Sequence, residues 1–130
     1  MSRMVCRFVI LSHTGHGQPH FDLMLEDGPA LATWQLATMP SGLPPGGVVS
    51  ARKLPDHRSE YLSYEGPVSC GRGSVQRVEC GSFDLLRREE GCWEVLLDGT
   101  GVQGRFDLRR TGPAAEDWEL RRPREAGSPR

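Results

Sequence analysis

The sequence predicts an all-β domain, a small closed or nearly closed β-barrel of about eight short strands with little helix. Three observations predict it: apolar residues recur with period two, turn residues punctuate the chain at short intervals, and no helical stripe runs longer than three turns. At 130 residues the chain has room for one domain. Residues 1–122 are assigned to the barrel and 123–130 to a flexible tail. Its 16 glycines and 10 prolines make up a fifth of the residues and favour turns over long helices.

Residues 5–11 read as a buried first strand, interrupted only by Arg7. Phe21, Leu23 and Leu25 alternate with Asp22, Met24 and Glu26, the pattern of a strand with one face on the core and the other exposed. Glu26-Asp27-Gly28-Pro29 is a turn, and residues 30–36 around Trp34 continue as a third strand, so the two make a hairpin. Proline and glycine are too dense over residues 39–47 for regular structure, which predicts a surface loop. Residues 48–53 read as a strand, and 55–66 as irregular with one helical turn around 57–61. Short strands follow at 74–80, 82–87, 93–98, 102–110 and 118–121. In the fourth of these Val102, Gly104, Phe106 and Leu108 alternate with polar residues.

Charge and cysteine usage narrow the function classes. A net charge of −1 does not advertise nucleic acid, although Arg109, Arg110, Arg121, Arg122, Arg124 and Arg130 load the last quarter with positive charge. Cys6, Cys70, Cys80 and Cys92 form no C-x-x-C pair and no repeated metal-ligand spacing, so they read as reduced core filler without disulfides. The first strand is too short and too polar for a secretory signal, and no apolar run reaches the twenty or so residues that span a bilayer. The expectation is a cytoplasmic protein without a membrane partner, monomeric rather than assembled.

The chemistry-bearing residues concentrate in the first half. His13, His16 and His20 lie within eight residues, and His57 follows Asp56. On a strand, His20, Asp22, Met24 and Glu26 share one face. A Gly-rich turn, Thr14-Gly15-His16-Gly17-Gln18-Pro19, reverses the chain and can bring His13 alongside Asp22. Imidazole and carboxylate suit Mn²⁺, Fe²⁺ and Zn²⁺, and such an ion can polarise a phosphoryl oxygen or activate water. Spacing alone leaves three readings open. A His-x-Asp pair is most often a hydrogen-bonded surface pair. It can also belong to a metal-dependent phosphoesterase, or, with His57 as the distal histidine, to the facial triad of a non-haem iron oxygenase.

Longer motifs discriminate among these. His20-Phe21-Asp22-Leu23-Met24-Leu25-Glu26, with Asp27-Gly28 and Thr33-Trp34 after it, resembles the signature of the DNA ligase D phosphoesterase family. A second block, Asp56-His57-Arg58-Ser59-Glu60-Tyr61 with Tyr64-Glu65-Gly66, resembles that family's Asp-His-x-x-Glu-Tyr motif. Weaker likenesses are Gly71-Arg72-Gly73-Ser74-Val75, a Gly-rich turn into a strand, and the closing Gly104–Arg110 and Trp118-Glu119-Leu120 segments. The resemblance implies a small β-barrel and a Mn²⁺-dependent activity that trims a 3′-terminal ribonucleotide and removes a 3′-phosphate from DNA or RNA primer ends during DNA repair. It implies His13, Asp22 and His57 as metal ligands, and His20 and Tyr61 as catalytic, phosphate-contacting residues. The implied partners are nucleic-acid 3′ ends, with a polymerase or ligase on separate chains, since 130 residues hold neither.

This sequence departs from the pattern in three places. Met24 stands where the family carries a phosphate-gripping arginine, and a thioether cannot make bidentate phosphate contacts. Arg52 or Lys53 could supply a substitute cation, as could Arg58. Ala37 and Thr38 replace a Pro-Lys pair. The interval from His13 to His20 is one residue longer than usual, which makes His16 an alternative to His13 as ligand. Met24 and Thr38 also motivate a second reading: a catalytically weak relative that binds nucleic-acid ends.

Overall fold

The computed structural model describes residues 6–124. Val5 and residues 125–130, which belong to the expected first strand and tail, lie outside the described residues. The strands are β1 (Cys6–Thr14), β2 (His20–Asp27), β3 (Ala30–Leu36), β4 (Val48–Arg58), β5 (Gly66–Pro67), β6 (Ser74–Glu89), β7 (Cys92–Gly99), β8 (Gln103–Arg110) and β9 (Asp117–Arg121). Single 3₁₀ turns occur at Pro40–Gly42 and Ser59–Leu62. Eight antiparallel strands run in the order β1-β2-β3-β4-β9-β8-β7-β6, and a β1–β6 pairing closes the ring, with β5 appended to β6. Closure pairs the edges that an open sheet would leave free.

Period-two patterning explains the interior. One face of each strand supplies the main core: Ile10, Leu23, Leu25, Val95, Phe106, Leu108 and Leu120 are buried there. At its centre Trp34 is fully buried and meets Trp93 and Trp118 edge-on, with centroids 5.4 and 5.5 Å away. That geometry suits the positive ring edge against a neighbour's negative face.

The structure corrects the sequence reading in several places. The second face of β2 is not exposed: Asp22 and Met24 are as buried as Leu23 and Leu25. Met24, Val9, Leu11, Leu31 and Val75 form a second apolar cluster on the outside of the barrel wall, covered by Tyr61, Leu62 and Val68. The segments read as strands 74–80 and 82–87 are one 16-residue strand. Gly81, read as a break, is instead where β6, still paired with β1, begins to pair with β7, and a Cβ there would lie 2.2 Å from the Asp98 carbonyl oxygen. Of the cysteines only Cys6 packs against the main core, so they are not mostly core filler. Cys6 and Cys92 are half-buried, Cys70 and Cys80 are exposed, and all four are free.

The strand read as ending at Lys53 continues through Pro55 to Arg58. Along β3 and β4, Thr33 opposes Leu54 and Leu31 opposes His57, so β4 spends one residue more than β3 over this interval. Such a bulge changes which side chains face outward. Strict alternation from Leu54 would turn His57 into the barrel; the extra residue turns it onto the outer wall beside Leu31. Pro55, which has no N–H to pair, falls within the bulge.

Candidate metal centre

The outer wall of β1, β2 and β4 gathers the predicted residues. His13 and His20 are cross-strand partners in β1 and β2, and Asp22 lies two residues further along the same face. His13, His16, His20, Asp22, His57 and Tyr61 all line one cleft of about 510 Å³. A smaller pocket of about 30 Å³ is bounded by His13, Asp22, Met24, His57 and Tyr61, room enough for a water or an ion. The helical turn expected around 57–61 is a 3₁₀ turn over Ser59–Leu62, entered directly from the end of β4, so His57 itself lies on the strand. His57 and Tyr61 still meet, edge to face at 5.6 Å.

The tightest group is His13, His20 and Asp22, whose ligand atoms all lie within 4.8 Å of one another. His57 shares both cavities with Asp22 but stands outside that group. His16, the alternative to His13, is exposed, also outside the group, and stacks on His13 at 6.3 Å between centroids. Neither Arg52 nor Lys53 lines the cleft. Lys53 Nζ donates to the Leu54 carbonyl at 2.8 Å, lies 3.7 Å from Asp56 and sits over the Trp34 ring. The cleft-lining arginines are Arg58 and Arg72. In the sequence Arg72 stood within a Gly-rich turn of weak family likeness, with nothing local to give its side chain a role here.

Three of the four imidazoles, those of His13, His20 and His57, have one nitrogen committed to a backbone carbonyl. His13 Nε2 meets the Arg72 oxygen at 2.7 Å, His20 Nδ1 the Gln18 oxygen at 3.0 Å, and His57 Nδ1 the Pro55 oxygen at 2.9 Å. A carbonyl only accepts, so these nitrogens carry the protons and donate. In the neutral rings that leaves lone pairs on His13 Nδ1, His20 Nε2 and His57 Nε2. An outer hydrogen bond that fixes the tautomer in this way is the usual support of a metal-binding histidine.

His13 Nδ1 and His20 Nε2 stand 3.4 Å from Asp22 Oδ2 and Oδ1 respectively. This is long for a hydrogen bond. It is the spacing of two donors that each lie about 2.1 Å from one ion at a tetrahedral angle. Asp22 is 3% exposed, and its Oδ1 is one of two buried side-chain polar atoms among the described residues without a hydrogen-bond partner, the other being Trp34 Nε1. Burial pushes the Asp22 carboxyl above its ordinary value, opposed by the charges that His20, His13 and His57 carry when protonated and by the hydrogen bond that His13 then offers. The donor set fits a divalent cation.

Close approach of two loops holds His13 in place. Gly73, at φ +79°, packs so tightly on the β1–β2 turn that a Cβ would lie 2.0 Å from the Thr14 oxygen, and Gly15, at φ +83°, faces it. That contact brings the Arg72 carbonyl to His13. Val68 N–H donates to the Gly73 oxygen at 2.7 Å, and Glu65 accepts from the Arg77 N–H at 2.8 Å, tying the covering segment down.

The family described as "DNA Ligase D 3'-phosphoesterase domain" matches residues 12–110, more than half of the chain and all the residues above. No curated protein matches the chain. No helix among the described residues is long and apolar enough to cross a membrane.

Proposed function

Since the chain belongs to the DNA ligase D 3′-phosphoesterase family, we propose that it is a metal-dependent phosphoesterase that processes nucleic-acid 3′ ends in DNA repair, removing a 3′-terminal ribonucleotide or a 3′-phosphate. The observation that carries this reading is the orphaned Asp22 Oδ1, buried among imidazole nitrogens whose protons are turned away from it. A buried carboxylate without donors is destabilising on its own and makes sense as half of an ion site.

The convergence of the His13, His20 and Asp22 donor atoms supports these three as the holders of the cation, Mn²⁺ by family resemblance, with His20 in the place that the resemblance gives to His57. Bound there, a divalent cation would polarise the phosphoryl oxygen and lower the pKa of an attacking water. Asp22 would supply the anionic oxygens. His13 and His20 would supply lone pairs oriented by the Arg72 and Gln18 carbonyls. His57, which lines the same cleft outside the donor group, is assigned to the scissile phosphate, where its protonated form gives a proton to the leaving ester oxygen. The Tyr61 hydroxyl, beside His57 in the cleft, donates to a phosphate oxygen.

The test is incubation of a primer-template ending in a 3′-phosphate or a 3′-ribonucleotide with the folded protein, with and without Mn²⁺. Metal-dependent release of phosphate or nucleoside is expected. No product at any metal concentration would sink the enzymatic reading. A second reading, an end-binding relative with little turnover, is favoured by one observation: Met24 is 1% exposed within an apolar cluster, so no cation stands at that point of the wall. It predicts salt-dependent binding without product.

A further inference from the structure

We propose that Arg72 is a phosphate-binding residue of this cleft, gripping the terminal phosphate of a nucleic-acid 3′ end in place of the cation that position 24 does not provide. The inference deepens the phosphoesterase reading and rests on it. A phosphate monoester brought beside the Asp22 carboxylate needs cationic donors, and a guanidinium is the strongest that a side chain offers. Among the described residues two arginines line the cleft, Arg58 and Arg72. The Arg58 side chain is 77% exposed and reaches Glu60 only at 4.0 Å, so it is loosely held.

Arg72 is fixed at both ends. Its carbonyl accepts the His13 proton at 2.7 Å, and the residue after it, Gly73, is wedged against Thr14 with no room for a side chain. Its guanidinium donates through Nε to the Ser69 carbonyl at 2.9 Å and through Nη2 to the Ser69 hydroxyl at 3.2 Å. Two of its five N–H groups are used and three remain. A donor held in advance loses less freedom when the anion arrives. The same residue thus orients an imidazole of the metal centre with its backbone and offers a cation with its side chain, which ties the phosphate position to the ion position.

The experiment is a fluorescence-anisotropy titration of the full chain, metal-free so that the phosphate is not hydrolysed, with a duplex ending in a 3′-phosphate and with the same duplex ending in a 3′-hydroxyl, beside a separate calorimetric titration with Mn²⁺. Wild type is expected to prefer the 3′-phosphate. Arg72→Gln should lose about 10–100-fold of that preference, the range for one charge-assisted contact. Arg72→Lys should keep part of it, and Arg121→Gln, on β9 away from the cleft, all of it. The Mn²⁺ affinity of Arg72→Gln should equal that of wild type, because the carbonyl that holds His13 is untouched. Three results would overturn the proposal: a wild type indifferent to the 3′-phosphate, an Arg72→Gln variant that keeps the preference, or a Mn²⁺ affinity that falls in step with it. If wild type turns nothing over, the phosphoesterase reading fails, while the preference still decides the role of Arg72.

Discussion

Two parts of the outer wall each bury carboxylates, and they treat them in opposite ways. On β7 and β8, Glu94 and Asp107 are directly opposed, a repulsive arrangement when left alone. Arginines neutralise it: Arg105 lies 3.2 Å from both carboxylates, Arg109 3.5 and 3.8 Å from them, and Arg87 3.5 Å from Glu94. On β1 and β2, Asp22 has among the described residues no arginine and no backbone donor, only imidazole nitrogens at 3.4 Å and an unpartnered oxygen. A guanidinium brings its own protons and completes a carboxylate's hydrogen bonding, so the β7–β8 cluster is finished as it stands. Imidazoles whose protons point backwards leave theirs unfinished. The contrast marks one patch as structural and the other as a place for a cation.

The largest expected effect tests that contrast at Asp22. Asp22→Asn should lower Mn²⁺-dependent turnover by at least about 10³-fold, because a ligand and its charge are lost. Without metal its melting temperature should equal or exceed that of wild type, since an uncompensated buried charge is gone. A metal-free variant that melts well below wild type would mean that Asp22 is a structural carboxylate like Asp107. Next in size is the histidine division. His20→Gln should weaken Mn²⁺ binding by about 10–100-fold or more. His57→Gln should leave binding within a few-fold and lower kcat by about 10²-fold or more. Calorimetric titration with Mn²⁺ and steady-state kinetics separate the two, and the reverse pattern would make His57 the ligand.

At the other patch, Arg105→Ala should destabilise the fold by about 2 kcal/mol in urea unfolding and leave Mn²⁺ affinity unchanged. A variant of wild-type stability would show that Glu94 and Asp107 do not need the guanidinium. A third carboxylate sharpens the comparison through pH. Glu79 is buried, and burial alone would raise its carboxyl. Donors from the Thr100 hydroxyl and from the Gly101, Thr100 and Cys80 N–H groups outweigh this and hold it below its ordinary value of 4.5. A carboxyl lowered by folding stabilises the fold above its unfolded value, and that contribution is lost as pH falls through the folded one. Wild type should therefore lose more stability than Glu79→Gln between about pH 5 and pH 3. Parallel curves would remove Glu79 from the account.

Much of the barrel was legible because alternation is local. The Phe21-Leu23-Leu25 face, the hairpin at Gly28 and the places of most strands along the chain follow from patterns within a few residues of one another. What was not legible depends on distant backbone. Gly81 reads as a break until the Asp98 carbonyl is seen 2.2 Å from its absent Cβ. His57 reads as a loop residue because a bulge shows only against its partner strand, where Leu31 and Thr33 set the count. The outward face of β2 reads as exposed because the segment that covers Met24 comes some forty residues later, at Tyr61, Leu62 and Val68. The candidate site was legible as a set of residue types, since His13, His20, Asp22 and His57 stand in recognisable blocks. Its support was not: that Arg72 holds His13 depends on Gly15 and Gly73 meeting across the fold.

The most direct test of the central claim is electron paramagnetic resonance of free Mn²⁺ during titration into the purified chain. The signal should be suppressed by one equivalent per chain in wild type and by none in Asp22→Asn. A free-ion signal that wild type leaves undiminished, or that Asp22→Asn suppresses equally, would contradict a cation site built on the Asp22 carboxylate.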